Sequence, residues 1–382
     1  MRLLVTGGAG FIGSHVAERA LAAGHDVRVL DNLDPQVHPP GTVLPLPPAV
    51  EVVEGDLRDP DVLTRALADV EGVVHCAGAV GVAQSMYRIE HYVDVNVRGT
   101  AALLEAVTRR RGSVRRLVLL SSMTQYGEGL YRRPSDGRTL RVDIRSESDI
   151  RSSGWEPVCP ETGEPLVAAP TPETARLLSR NVYALSKRYQ EELALTLGGT
   201  YDLPVVCLRL FNVYGPRQTL GNPYTGVIAI FLTRLLAGQP PVVYEDGRQT
   251  RDFVSVHDAA RAVLTALDTT RADGRVLNIG SGEARPIADV ARTLARLAGR
   301  EEIAPDVTYR FRQGDVRHCV ADIRLARETL DFEPATTWEA GLAEVVDWAR
   351  AAPADDRTAQ AELELREHRL VSDAPISTEA SR

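Results

Sequence analysis

Tyr183 and Lys187, in the run Tyr183-Ala-Leu-Ser-Lys187, are the pair in this chain best suited to move a proton. On a helix, positions i and i+4 share a face, so a phenol and an ammonium would line one side. A nearby cation favours the phenolate and draws the tyrosine pKa down from roughly 10 toward neutrality, which makes Tyr183 a candidate general base. Lys187 is the single lysine of the chain; the other 43 of its 44 Lys and Arg residues are arginine. Arginine carries its charge on a planar fork, lysine as a compact point on a flexible stem. Lysine kept at this one place points to a need for the point charge. A Y-x-x-x-K spacing also arises by chance on many helices, so the elements around it must decide.

Those elements begin at the N-terminus. Leu3-Leu4-Val5 is a continuous apolar run, as in a strand buried on both faces. It leads into Thr6-Gly7-Gly8-Ala9-Gly10-Phe11-Ile12-Gly13, where Gly8, Gly10 and Gly13 satisfy G-x-G-x-x-G. Such glycines permit a tight turn and let backbone approach a pyrophosphate. The helix predicted over 11–23 then aims its first amides at that anion. A second strand, 26–30, ends in Asp31, 18 residues beyond Gly13 and at the spacing of a ribose-binding carboxylate. An acid there repels a 2′-phosphate, so the expected dinucleotide is NAD rather than NADP.

Strands and helices continue to alternate. Strands are expected at 52–53, 72–78, 116–122 and 204–210, and helices at 61–68 and 83–109. This pattern implies an α/β fold with a doubly wound parallel (Rossmann) sheet. Ligands then lie beyond the carboxyl ends of the strands, where Gly10, Asp31, Asp56, Ala77 and Ser122 fall. Asp56 is placed to reach the adenine edge. Residues 128–172 are polar and rich in Arg, Pro and Gly, and read as a surface insertion over the mouth of the site. Helices from about Pro223 to Ala237, His257 to Asp268 and Pro286 to Leu297 supply a smaller α/β C-terminal substrate domain. The expected division is 1–205 for the dinucleotide, 206–350 for the substrate, with some segments returning to the first unit. The remainder, 351–382, reads as a flexible tail with a helix near 358–368.

Composition narrows the partners. A net charge of −8 over 382 residues argues against nucleic acid. No stretch of 18 apolar residues is present, so no membrane span is expected. The four cysteines, Cys76, Cys159, Cys207 and Cys319, contain no C-x-x-C. Neither a disulfide framework nor a metal site is expected, and a reducing cytoplasm fits. The chain opens at once on a strand, with no signal peptide expected.

Taken together, T-G-G-A-G-F-I-G, Ser121-Ser122-Met-Thr-Gln-Tyr-Gly127, Tyr183-x-x-x-Lys187 and Asn212-Val-Tyr-Gly-Pro216 resemble the extended short-chain dehydrogenase/reductases. Within them the chain looks like an NAD-dependent nucleotide-sugar epimerase/dehydratase, over roughly residues 1–350. Its insertion, with Cys159-Pro-Glu-Thr-Gly163, is similar to that of dTDP-L-rhamnose 4-epimerase-like proteins.

The resemblance implies that Tyr183 deprotonates the sugar 4-hydroxyl, that Ser122 bonds the same hydroxyl, and that Lys187 also holds the nicotinamide ribose. It implies cofactor contacts at Gly7, Gly10, Phe11, Ile12, Gly13, Asp31 and Asn32, then at Asp56, Leu57, Ala77 and Asn96. Asn212, Arg251 and Arg317 are the implied diphosphate ligands, and a homodimer is the implied assembly. Sugar 4,6-dehydratases of this family carry an Asp-Glu pair where this chain has Met123 and Thr124. The expected reaction is therefore 4-epimerisation of a dTDP- or UDP-sugar through a 4-keto intermediate. Alternatives are a 4-ketoreductase, a 4,6-dehydratase, or a catalytically silent NAD-binding regulator.

Overall fold

Leu3, Leu4 and Val5 are all fully out of solvent because the strand Arg2–Thr6 is covered on both faces. Leu3 and Val5 point into one core, with Val29, Val118, Ala260 and Val263. Leu4 points into the other, with Leu30, Val73, Leu103 and Leu104. A parallel sheet sandwiched between helices needs apolar residues on both faces, so its strands read as unbroken runs. The computed structural model describes residues 1–39, 41–110, 112–220, 222, 224, 226–352, 356 and 358–372.

The central sheet has seven strands in the spatial order Val276–Ile279, Val205–Leu210, Arg116–Ser122, Gly72–His75, Arg2–Thr6, Asp26–Asp31, Glu51–Glu54. Every neighbouring pair is parallel. From Arg2–Thr6 the chain builds outward to Glu51–Glu54, then returns to lay Gly72–His75 on the other side. That reversal opens a crevice beyond the carboxyl ends of the two middle strands, which is where a doubly wound sheet binds its ligand. The edge strand Val276–Ile279 comes from the C-terminal half and was not anticipated from sequence.

The stretch expected to be helical over 83–109 is subdivided. It contains a 3₁₀ turn Gln84–Met86, a short helix Ile89–Tyr92, a π-helical turn Val93–Arg98 and an α-helix Gly99–Thr108. The widened turn carries Asn96, whose side chain is wholly buried and bonded to the Ala79 backbone. Such π-turns mark places where a side chain must be delivered off the regular helical register.

The insertion is more regular than its composition suggests. Strands Leu130–Arg132, Thr139–Arg141 and Val167–Thr171 join His318–Ala321, Thr250–Arg251 and Arg285–Pro286 in one six-stranded sheet. Tyr131 and Ile150 are fully buried. Helices Val227–Leu236, Ile287–Ala298 and Trp338–Ala351 share a separate core that includes Phe231, Leu294 and Val346. The first of these helices was expected to start near Pro223, which lies outside the described residues. The helix expected near 358–368 is present as Thr358–Glu367, with Ala361 and Leu365 buried.

Candidate active site

A cavity of about 490 Å³ runs along the carboxyl ends of the strands, from the glycine turn to Tyr183 and on to Tyr224. Gly7 has φ of +65°, and a Cβ there would lie 2.7 Å from the Ala77 backbone. A Cβ at Gly13 would come to 2.2 Å from the Gly7 carbonyl oxygen. Only glycine therefore allows the turn to close onto the helix Phe11–Ala22. Gly10 caps that helix through its backbone with no side-chain bond. The first-turn amides of a helix have no intrahelical acceptor. Phe11, Ile12 and Gly13 line the cavity, so that turn could hold a pyrophosphate.

Asp31 is 9% exposed and lines the cavity. Its two oxygens accept the Ala9 and Leu33 amides, each at 3.0 Å, which fixes the carboxylate at the end of its strand. His38, not selected from sequence, lies 3.8 Å from it. Asn32, Asp56, Leu57 and Ala77 also line the cavity. The Asp56 carboxylate is held by Arg58, whose hydrogen bonds bring its pKa down to about 2. Arg58 in turn bonds Asp94. Asn96 does not line the cavity. It bonds the Ala79 backbone and donates to Ser186 Oγ at 2.9 Å, tying the loop after Gly72–His75 to the helix Val182–Tyr201.

That helix begins where it does because Asn181 caps it, its side chain accepting the Ala184 amide at 2.8 Å. Ser85 Oγ accepts the Tyr183 amide at 3.0 Å and fixes the first turn further. Tyr183 and Lys187 then line the cavity together, 8% and 6% exposed. Ser122 ends the strand Arg116–Ser122 and bonds the Thr124 hydroxyl at 3.0 Å.

The electrostatics depart from the expectation of a phenol depressed by Lys187. Burial dominates and pushes the Tyr183 pKa up, while a hydrogen bond from Ser122 works the other way. Burial also brings Lys187 down to about 8. Desolvation of the charged form is the first cause of both shifts.

For the expected substrate ligands the outcome is divided. Asn212 lines the cavity, and its Oδ1 is buried without a hydrogen-bond partner. Arg251 does not line it; its guanidinium bonds the Thr250 and Arg317 carbonyls. Arg317 is also absent from the lining and is fully buried. It pairs with Glu156, Glu245 and Asp246, and its amide donates to Glu128. Its charge is matched by these carboxylates, so in this structure it does not face the cavity. Tyr224, Gln84 and His38 line the cavity without having been selected. His38 and Tyr224 lie outside the helices and strands, and Gln84 starts the 3₁₀ turn Gln84–Met86 within the stretch expected to be helical.

Among the described residues, no helix is long and apolar enough to cross a membrane, and no cluster of three or more His, Cys, Asp or Glu could hold a metal.

A glycine turn at a helix start, an acid at the second strand end and a Tyr-Lys-Ser group on one cavity are features of a dinucleotide-binding α/β protein. The chain belongs to the NAD dependent epimerase/dehydratase family, whose pattern matches residues 3–148 and 157–280. It is 35% identical over 357 residues to dTDP-L-rhamnose 4-epimerase of Burkholderia thailandensis, covering 91% of this chain and 94% of that protein. Its fold is similar to UDP-glucose 4-epimerase of Thermotoga maritima, solved with UDP-glucose. There the TM-score is 0.74 at 30% identity, over 92% of this chain and 99% of that one. It is also similar to UDP-glucose 4-epimerase of Thermus thermophilus, solved with NAD. That match has a TM-score of 0.70 at 32% identity, over 92% of this chain and all of that one.

Proposed function

We propose that the protein is an isomerase, an NAD-dependent nucleotide-sugar 4-epimerase acting on a dTDP- or UDP-sugar through a 4-keto intermediate. The observation that carries this reading is the meeting of Tyr183, Lys187 and Ser122 on the cavity that starts at the glycine turn. NAD supplies a hydride acceptor for C4 that also returns the hydride. Gly7, Gly10, Phe11, Ile12 and Gly13 would hold its pyrophosphate, with Asp31 on the adenosine ribose. Ser122 orients the 4-hydroxyl, and Tyr183 takes its proton and gives it back to the opposite face's alkoxide. Lys187 supplies positive charge beside the phenolate as it forms. Epimerisation is favoured over elimination because Met123 and Thr124 line the cavity where an acid and a base would be needed.

In this reading residues 1–205 serve the dinucleotide and 206–350 the nucleotide sugar, and the enzyme works in the cytoplasm as a homodimer. Support for the dimer comes from Val93, Leu185 and Tyr189, apolar side chains 44–57% exposed on the π-helical turn and the Tyr183 helix. Light scattering that gives a monomer at micromolar concentration would remove that part.

The test is incubation with a panel of dTDP- and UDP-sugars, with C4 configuration read by NMR. Inversion at C4 without net oxidation is expected. A 4-keto-6-deoxy product from the glucose derivatives would reassign the protein to the dehydratases.

A further inference from the structure

Tyr224 lines the reaction cavity. It packs on Gly81, where an added Cβ would come within 3.2 Å of the Tyr224 Cβ and 2.7 Å of the Tyr92 hydroxyl. The Tyr92 ring in turn meets Tyr183 edge-on, with centroids 6.4 Å apart. Tyr224 is thus separated from the proton-transfer group by a glycine and one aromatic ring.

The Tyr224 phenol donates to Oε2 of Glu364, on the C-terminal helix Thr358–Glu367. The same oxygen accepts the Tyr87 phenol at 2.8 Å, and Gln360 Nε2 bonds the other oxygen at 3.3 Å. His368 stacks on Tyr87, with centroids 4.2 Å apart and planes 7° from parallel. The helix is anchored separately on Arg310, Phe311 and Gln313. Arg310 pairs with Glu362, the Gln313 amide donates to the Leu370 carbonyl at 3.0 Å, and the Ser372 amide to that of Phe311 at 2.8 Å. A segment remote in sequence therefore delivers one carboxylate to two tyrosines: Tyr87 beside the dinucleotide unit and Tyr224 on the cavity wall.

Phenols bonded to a carboxylate form charge-assisted hydrogen bonds, stronger than neutral ones. The Tyr224 bond is the first cause holding the Glu364 carboxyl below its usual range. Burial, aided by that carboxylate, pushes Tyr224 up to about 12, so it stays a neutral donor.

We propose that Glu364 is a positioning residue for the sugar: by clamping the Tyr224 and Tyr87 phenols it sets the cavity wall against which the sugar ring is held. This rests on the nucleotide-sugar reading and assigns the C-terminal helix to substrate selection rather than to proton or hydride transfer. The clamp acts on the sugar, not on the nucleoside diphosphate and not on the dinucleotide.

The test compares wild type, Glu364→Ala, Glu364→Gln and Tyr224→Phe by calorimetry with dTDP, UDP and their sugars, and by steady-state kinetics. Glu364→Ala should weaken nucleotide-sugar binding and raise KM by roughly tenfold, the scale of one or two well-placed hydrogen bonds. Its kcat should fall much less, and its affinity for free dTDP or UDP and its bound dinucleotide should stay as in wild type. Glu364→Gln keeps one oxygen acceptor and should fall between. Tyr224→Phe removes a single hydroxyl and should repeat the KM effect even if Glu364→Ala folds poorly. Equal weakening for sugar nucleotide and free diphosphate, or parallel losses in kcat and bound dinucleotide, would mean a structural role and overturn the proposal. A wild type that binds nucleotide sugars without inverting C4 would sink the epimerase reading alone, because the binding comparison still reads the clamp.

Discussion

Glu191 and Arg209 form an ion pair of 2.5 Å with both side chains at most 5% exposed, one helical turn beyond Lys187. Glu191 Oε2 also accepts the Ser121 hydroxyl at 2.8 Å and Gln125 Nε2 at 3.1 Å. Arg209 donates to the Tyr126 phenol at 2.8 Å and to the Glu173 carbonyl at 3.1 Å. The helix bearing Tyr183 and Lys187 is thus pinned to the strands that end at Ser122 and Leu210. Removing one partner leaves the other charge buried and unmatched, at a cost of about 3–5 kcal/mol. Glu191→Ala should lower the unfolding free energy by that amount in urea titrations. A change below about 1 kcal/mol would show the pair to be dispensable.

Lys187 separates function from stability. Burial lowers its pKa from 10.5 to about 8, so the fold penalises the protonated form. That penalty is complete below pH 8 and is lifted as pH rises from about 8 toward roughly 10.5, because the unfolded chain binds the extra proton. Lys187→Met removes the penalised charge and should not lower the melting temperature at pH 7. Turnover should nevertheless drop by roughly a hundredfold or more, the scale of a disabled acid–base group. Lys187→Arg should also be impaired, and Tyr183→Phe should be inactive at every pH while still binding the dinucleotide. Activity of Tyr183→Phe near wild type would displace the base to another residue.

Asp31 sets cofactor choice through charge. Its carboxylate, held by the Ala9 and Leu33 amides, would face a 2′-phosphate at close range in a nearly dry site. Mass spectrometry of nucleotide released by denaturation should find NAD without a 2′-phosphate. Asp31→Ser should improve the NADP-to-NAD affinity ratio by roughly tenfold in fluorescence titrations, about 1.4 kcal/mol. NADP as the main nucleotide released from wild type would refute the assignment.

Arg317 should behave as a structural residue. It is fully buried among Glu156, Glu245 and Asp246. Arg317→Ala would remove three carboxylate contacts, while Glu245 keeps Arg145 and Glu156 keeps His318, and should destabilise the fold by about 1–3 kcal/mol. The expected sign in calorimetry is a lower melting temperature with broadly reduced soluble yield. A variant that melts with wild type and loses only diphosphate affinity would restore the ligand role.

The glycine turn, Asp31 and the Tyr183–Lys187 spacing were legible in the chain because each is a local requirement. A Cβ clash at Gly13, a carboxylate at a strand end and an i+4 pair on a helix all act over a few residues. The alternating apolar runs were legible for the same reason, since both faces of a parallel sheet demand them. Three things came only from tertiary structure. Buried Arg145 of the insertion is matched by Glu245, and buried Arg317 by Glu156, Glu245 and Asp246, all remote in sequence. The C-terminal helix meets Tyr87 and Tyr224 across far larger separations. The direction of the Tyr183 shift is set by how completely the fold excludes water, and the i+4 spacing holds no information about that. Long-range pairing and desolvation depend on which distant segments the packed chain brings together, and no periodicity in the sequence encodes them.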